Sequence, residues 1–164
     1  MGTNRTIGDL KMPEVVIRKY QTADLQEILE LFYNTVHAVN SRDYSPKQLN
    51  VWAGAHPDTE IWDQTLREHY SLVAVRDQRI VGFGDMEFPD YLDRLYVHRD
   101  YQGQGIATLL CGELERWPEG GQVIVHASIT ARPFFEGRGY QVVREQQVER
   151  KGVFLTNFIM IKNL

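Results

Sequence analysis

The pattern of apolar and polar positions divides the chain into stretches of two different periods. Val15-Val16-Ile17-Arg18-Lys19-Tyr20 is a short β-branched run and predicts a first strand. Leu25, Ile28, Leu29, Phe32 and Val36 recur at helical spacing and predict an amphipathic helix with one apolar stripe. Thr22-Ala23-Asp24 precedes it as a start signal, with Thr22 as the cap and Asp24 facing the positive end of the dipole. Ser45-Pro46-Lys47-Gln48 is a second start: an N-cap serine, a proline at the first helical position and a glutamine at the capping-box position. Leu49 and Trp52 share a face of the short helix that follows, which Gly54-Ala55-His56-Pro57-Asp58 breaks, and a further helix is expected over 59–69.

The period then changes. Residues 71–75, 80–88 and 91–97, joined by tight turns at Asp77-Gln78 and Pro89-Asp90, predict an antiparallel meander. Within it Asp85 and Glu87 alternate with Met86 and Phe88, which reads as a solvated face. Gln102-Gly103-Gln104-Gly105 then opens a helix carrying Ile106, Leu109, Leu110 and Leu114 on one face, stopped by Pro118 and Gly120-Gly121. A strand over 122–126, a short helix over 131–137 and a hairpin of strands 140–148 and 153–161 complete the chain. A meander followed by helical crossovers predicts an α/β fold of α+β type: a mixed, mostly antiparallel central sheet of about seven strands with helices on both faces. Nothing repeats and no linker intervenes, so residues 15–164 are expected to form a single domain behind a frayed arm over 1–14.

Composition narrows the function classes mainly by exclusion. A chain of 164 residues that is 43% hydrophobic has material for a sizeable core, and 24% charged residues exclude bulk disorder. The 18 basic and 22 acidic residues leave a charge of −4, which supplies no gross field for phosphate backbones, so no nucleic-acid partner is expected. No apolar run approaches the roughly 18 residues that span a bilayer. The arm carries Arg5, Asp9 and Lys11 without an apolar block, unlike a signal peptide, and although Met1 to Thr6 fits the loose myristoylation pattern its polarity reads as a free arm. The chain is therefore expected to be cytoplasmic, with no membrane partner. Cys111, the single cysteine, forms no internal disulfide, and no Cys/His spacing suggests a metal site.

The strongest chemical signal is Leu95-Tyr96-Val97-His98-Arg99-Asp100-Tyr101-Gln102-Gly103-Gln104-Gly105-Ile106-Ala107. A strand ends, glycines turn the backbone, and a helix begins whose unpaired N–H groups and dipole suit a pyrophosphate. Gly105-Ile106-Ala107 lacks the lysine of a P-loop. A dinucleotide fingerprint fails too, since Thr108 replaces its third glycine, the strand over 122–126 has no carboxylate, and the loop follows a meander.

Gln102-Gly103-Gln104-Gly105-Ile106-Ala107 is similar instead to the Gln/Arg-x-x-Gly-x-Gly/Ala signature of the GNAT superfamily of acetyl-CoA-dependent N-acetyltransferases. The order of elements from Val15 to Met160 resembles that fold, and Ser128-Ile129-Thr130-Ala131-Arg132-Pro133-Phe134-Phe135 resembles the family's second motif. The resemblance implies acetyl-CoA as donor, bound by Gln102, Gly103, Gln104, Gly105, Ile106, Ala107 and Thr108, with Ser128 and Phe134 nearby. It also implies that the strand before the loop and the strand after the helix splay apart. Main-chain groups of Leu95, Tyr96 and Val97 are then expected to bond the pantetheine arm, with an N–H near Leu95 or Tyr96 polarising the thioester carbonyl.

An acceptor amine must lose a proton before it attacks, and Asp93 and Glu87, which interrupt apolar strand patterns near the expected splay, are the candidate bases. Phe135 stands where family members often carry the tyrosine that protonates the departing thiolate, so that role does not transfer; Tyr96, Tyr91 and His126 are conceivable substitutes. By the resemblance, acceptor specificity comes from the first helical pair, where Tyr44 and Trp52 are candidates for an aromatic slot. The expected activity is acetyl transfer to a primary amine of a small molecule by direct attack. The alternatives are acetylation of a protein N-terminus or lysine, and a CoA-binding sensor without turnover. A homodimer is left open.

Overall fold

The structure, a computed structural model, describes residues 14–164; the arm before Glu14 and its acylation-like pattern lie outside the described residues. Strands β1 (Val16–Lys19), β2 (Tyr70–Arg76), β3 (Arg79–Glu87), β4 (Tyr91–Val97), β5 (Gln122–Ser128), β6 (Gln141–Arg150) and β7 (Val153–Asn163) form one sheet in the order β1-β2-β3-β4-β5-β7-β6. Every pairing is antiparallel except that of β4 with β5. Among the described residues five α-helices accompany the sheet: α1 (Leu25–Val39), α2 (Pro46–Trp52), α3 (Thr59–Glu68), α4 (Ile106–Leu114) and α5 (Arg132–Gly137). This is the α/β fold that the element order predicts.

Both faces of the sheet are covered. Leu72, Ala74 and Val81 pack with Ile106, Leu110 and Leu114 of α4, while Val73, Ile80 and Phe83 pack with Ile28 and Leu31 of α1 and Leu66 of α3. Two glycines of β3 allow α4 to lie close on the sheet. A Cβ on Gly82 would come within 2.9 Å of Leu110 Cδ1, and one on Gly84 within 2.8 Å of Leu114 Cδ1. That close seat fixes where the first turn of α4 points.

Double coverage also explains why the alternation in β3 misleads. All residues from Ile80 to Met86 are buried, as in strands sandwiched between helices. Asp85 is consequently fully buried, not solvated, and Phe88 is 82% exposed beyond the strand end. The first cap differs as well. Thr22–Asp24 is a 3-10 turn capped by Gln21, and the Asp24 carboxylate accepts from the Gln21 N–H at 2.9 Å and from both Arg18 Nη atoms at 2.8 Å. A guanidinium fork satisfies this carboxylate better than a helix dipole would. Ser45 behaves as read: its hydroxyl accepts from Gln48 N and the Gln48 side chain returns to Ser45 N.

Candidate active site

The site begins with a break in the sheet. β4 and β5 pair only at Tyr91 with Ile124 and Leu92 with Val125, then diverge. The register of β4 against β3 steps at the same point, from Leu92 opposite Met86 to Arg94 opposite Asp85. Asp93 is thus the extra residue of a bulge, a device that bends a strand and re-aims its side chain. The divergence opens a cleft of about 500 Å³ bounded by β4, β5, the glycine loop and α5. A second cleft, of about 460 Å³, lies among α1, α3, β6 and β7. Trp52, Asp93, Arg94, Tyr96, His126 and Ser128 line both, so the two clefts meet there.

In the first cleft, strand alternation sorts the main-chain groups of β4. His98 N–H donates to Val81 O, and Tyr96 pairs with Phe83 two residues earlier, so Tyr96 turns its backbone groups to β3. Those of Leu95 and Val97 turn to the gap. The Val97 carbonyl already accepts from Thr35 Oγ1 at 3.1 Å and Gln102 Nε2 at 2.7 Å. The Gln102 side chain therefore ties the loop to β4.

Gly105 is the N-cap of α4 at φ 81°, and Gly103 has φ 71°. A Cβ at either would meet nothing within 4 Å, so the loop leaves open space above the N–H groups that start α4. Gln104 does not line the cleft; its side-chain oxygen accepts from Arg76, which brings a guanidinium to the loop. Ile106 is buried at the base, while Ala107, Thr108 and Phe134 line the wall. Ser128 lines both clefts, and its hydroxyl accepts from Ala131 N at 3.0 Å, holding the turn into α5.

The junction carries a charge cluster that the alternation had hidden. Asp85 accepts from Arg94 Nη2 at 2.7 Å and from Arg94 Nε at 3.0 Å, and lies 2.8 Å from His69 Nδ1. Asp93 stands 3.8 Å from both His69 Nδ1 and Arg94 Nη2, with its side chain 32% exposed. Burial, reinforced by the neighbouring Asp85 charge, raises Asp93 above the ordinary carboxylate range. His69 is raised above 6.5, first by its bond to Asp85. His69, Asp85 and Asp93 could group around a cation, but the Arg94 guanidinium already holds that place. Glu87 is exposed at the end of β3 and lines neither cleft, because β3 ends where the turn to β4 begins. Of the two candidate bases, the fold brings only Asp93 to the junction.

Trp52 lines both clefts, donating its indole N–H to the Tyr96 hydroxyl at 3.1 Å. Tyr44 is built into the wall of the second cleft, donating to Thr156 O at 2.6 Å and accepting from Ile129 N at 2.9 Å. Phe135 is 3% exposed and packs on Phe134 and Tyr140. Cys111 is fully buried, and its thiol is pushed up to about 11 by that burial. His126 is not packed away at a strand end: β5 runs on to Ser128, and His126 is exposed to both clefts. Partial desolvation of its ring between the clefts shifts its pKa downward. Thr35, Arg76, His69 and Asn157 escape the sequence reading, since each reaches the site from an element distant in the chain. The one available signal was the pair Asp85 and Arg94, opposite charges in two adjacent apolar strands.

Comparison with known proteins agrees with this geometry. The Acetyltransferase (GNAT) domain family matches residues 40–162. The uncharacterized N-acetyltransferase YafP of Escherichia coli K12 is 36% identical over 149 residues, covering 91% of this chain and 96% of its own. A GCN5-related N-acetyltransferase (aminotransferase, class-II) from Rhodopseudomonas palustris superposes with a TM-score of 0.89 at 31% identity, over 94% of this chain and 99% of that one. The PaiA N-acetyltransferase of Thermoplasma acidophilum, solved with coenzyme A, shares the fold with a TM-score of 0.75 at 19% identity, over 92% and 99% of the two chains.

Proposed function

The chain belongs to the GNAT family and is an acetyl-CoA-dependent N-acetyltransferase, and from that premise we propose that it acetylates the primary amine of a small molecule by direct attack where its two clefts meet. The observation that carries this reading is Asp93, re-aimed by a bulge to the junction of both clefts. Acetyl-CoA lies in the cleft between β4 and β5, its pyrophosphate on the first N–H groups of α4 and its pantetheine along Leu95 and Val97. The acceptor enters from the second cleft, whose volume of about 460 Å³ suits a small molecule better than an extended peptide.

Asp93, with its raised pKa, takes the proton the ammonium must shed. The nitrogen lone pair forms the C–N bond at the thioester carbonyl carbon, and the Leu95 N–H, turned to the gap, donates to the developing oxyanion. As the carbonyl re-forms, the C–S bond breaks with its electron pair on sulfur, and the nitrogen sheds its second proton to solvent, leaving a neutral amide. Phe135 has no proton to give, but a thiol of pKa about 8.5 departs tolerably as thiolate. A tyrosine-dependent departure is therefore not needed. Nor is an acyl-enzyme through Cys111, which is buried and held as the thiol.

Asp93→Asn tests the assignment. We expect kcat to fall by roughly 100-fold or more, the usual contribution of a positioned base, with acetyl-CoA affinity unchanged. Unchanged kcat would remove Asp93 from the chemistry. Acetyl-CoA binding by the unaltered chain without transfer to any amine would favour the sensor reading, for which Phe135 is the motive.

A further inference from the structure

Resting on the reading of the second cleft as the acceptor site, we infer that the acceptor is amino-acid-like: a primary amine and a carboxylate on one small molecule with an aromatic or flat apolar side group. Three features of the cleft point there. Trp52 and Tyr91 line it with aromatic surface for a planar group, beside Trp62, whose ring is already stacked by Arg94. Asn157 lines it opposite Ser128 in the β5–β7 ladder, and its Oδ1 is buried without a hydrogen-bond partner. A buried lone acceptor is costly unless an N–H reaches it, so a wall residue of this cleft is left wanting a donor.

The third feature is charge. Asp93, Arg94 and Arg150 are the charged residues of the cleft. Arg94 is spent on the buried Asp85 and stacks over Trp62, its Cζ 4.4 Å from the ring centroid. Arg150, exposed at the end of β6, has no ion pair among the described residues. Tyr91 lines the same cleft as Asp93 and Arg150, so a carboxylate, an aromatic ring and a guanidinium share one wall space. An amine at Asp93 and an anion at Arg150 match this order, and guanidinium is suited to planar carboxylate. A polycation would meet Arg150 as a like charge. With Arg94 neutralised by Asp85, Asp93 and Arg150 balance one another in the cleft, so the chain's overall charge of −4 does not extend into it.

The test compares phenylalanine and tryptophan with phenethylamine and tryptamine, which lack only the carboxylate, and with spermidine. Transfer is measured as kcat/KM, and Kd is measured in parallel on protein saturated with CoA. The amino acids should exceed their decarboxylated counterparts by at least tenfold in either readout. Arg150→Gln should bring that ratio to within about threefold of one, because it removes the partner that only the amino acids' carboxylate uses. Equal affinity for both series, preference for spermidine, or a ratio insensitive to Arg150→Gln would overturn the inference. Binding that discriminates by Arg150 without any acetyl transfer would uphold it and overturn the enzymatic reading instead.

Discussion

Single positions decide whether the glycine loop can serve as an anion cradle. Gly105 sits at φ 81°, where a β-branched residue is a genuine outlier, and it faces space that nothing in the protein fills. Gly105→Val both strains the turn and puts methyl groups where a pyrophosphate approaches. We expect acetyl-CoA binding to weaken at least tenfold, about 1.4 kcal/mol, while circular dichroism stays native. Titration calorimetry checks it, and unchanged affinity in a folded variant would refute the cradle. This residue was legible in the sequence because glycine spacing before a helix has few physical explanations. Asp85 was not legible, because alternation assigns a face only when one side of the sheet is wet, and β3 is covered on both. Glu87, expected near the splay, lies outside both clefts for the related reason that chain position near a splay does not fix which residue the bulge re-aims.

At the scale of elements, the order and type of segments followed from periodicity, capping and glycine, whereas the contacts between segments did not. The bulge at Asp93 and the seat of α4 on Gly82 and Gly84 are consequences of packing across the sheet. So is the link between the end of α3, β3 and β4 made by His69, Asp85 and Arg94. That link has a pH signature. The folded pKa of His69 is raised above its unfolded value near 6.5, so its contribution is fully present below about pH 6.5 and is lost as pH rises through the higher folded value. The stability difference between the unaltered chain and His69→Gln should therefore be largest near pH 6 and shrink toward pH 9. Denaturant melts at both pH values measure it. A difference that is constant, or that grows with pH, would mean the imidazole is neutral in the fold.

For the whole molecule, the fold places two clefts that meet along one short stretch of β4, and the proposed direct transfer rests on that arrangement. Sequence pattern carried the fold class and the donor loop, since both depend on residues near in the chain. The second cleft draws on α1, α3, β4, β5, β6 and β7 at once, which no local pattern reports. Two substrates bound together leave a kinetic trace that a relay through the protein does not. Initial rates measured with acetyl-CoA and the fastest amine both varied should give intersecting reciprocal plots, and intact-mass spectra after acetyl-CoA alone should show unmodified protein. Parallel plots together with an acetylated chain would contradict direct attack at the junction of the clefts.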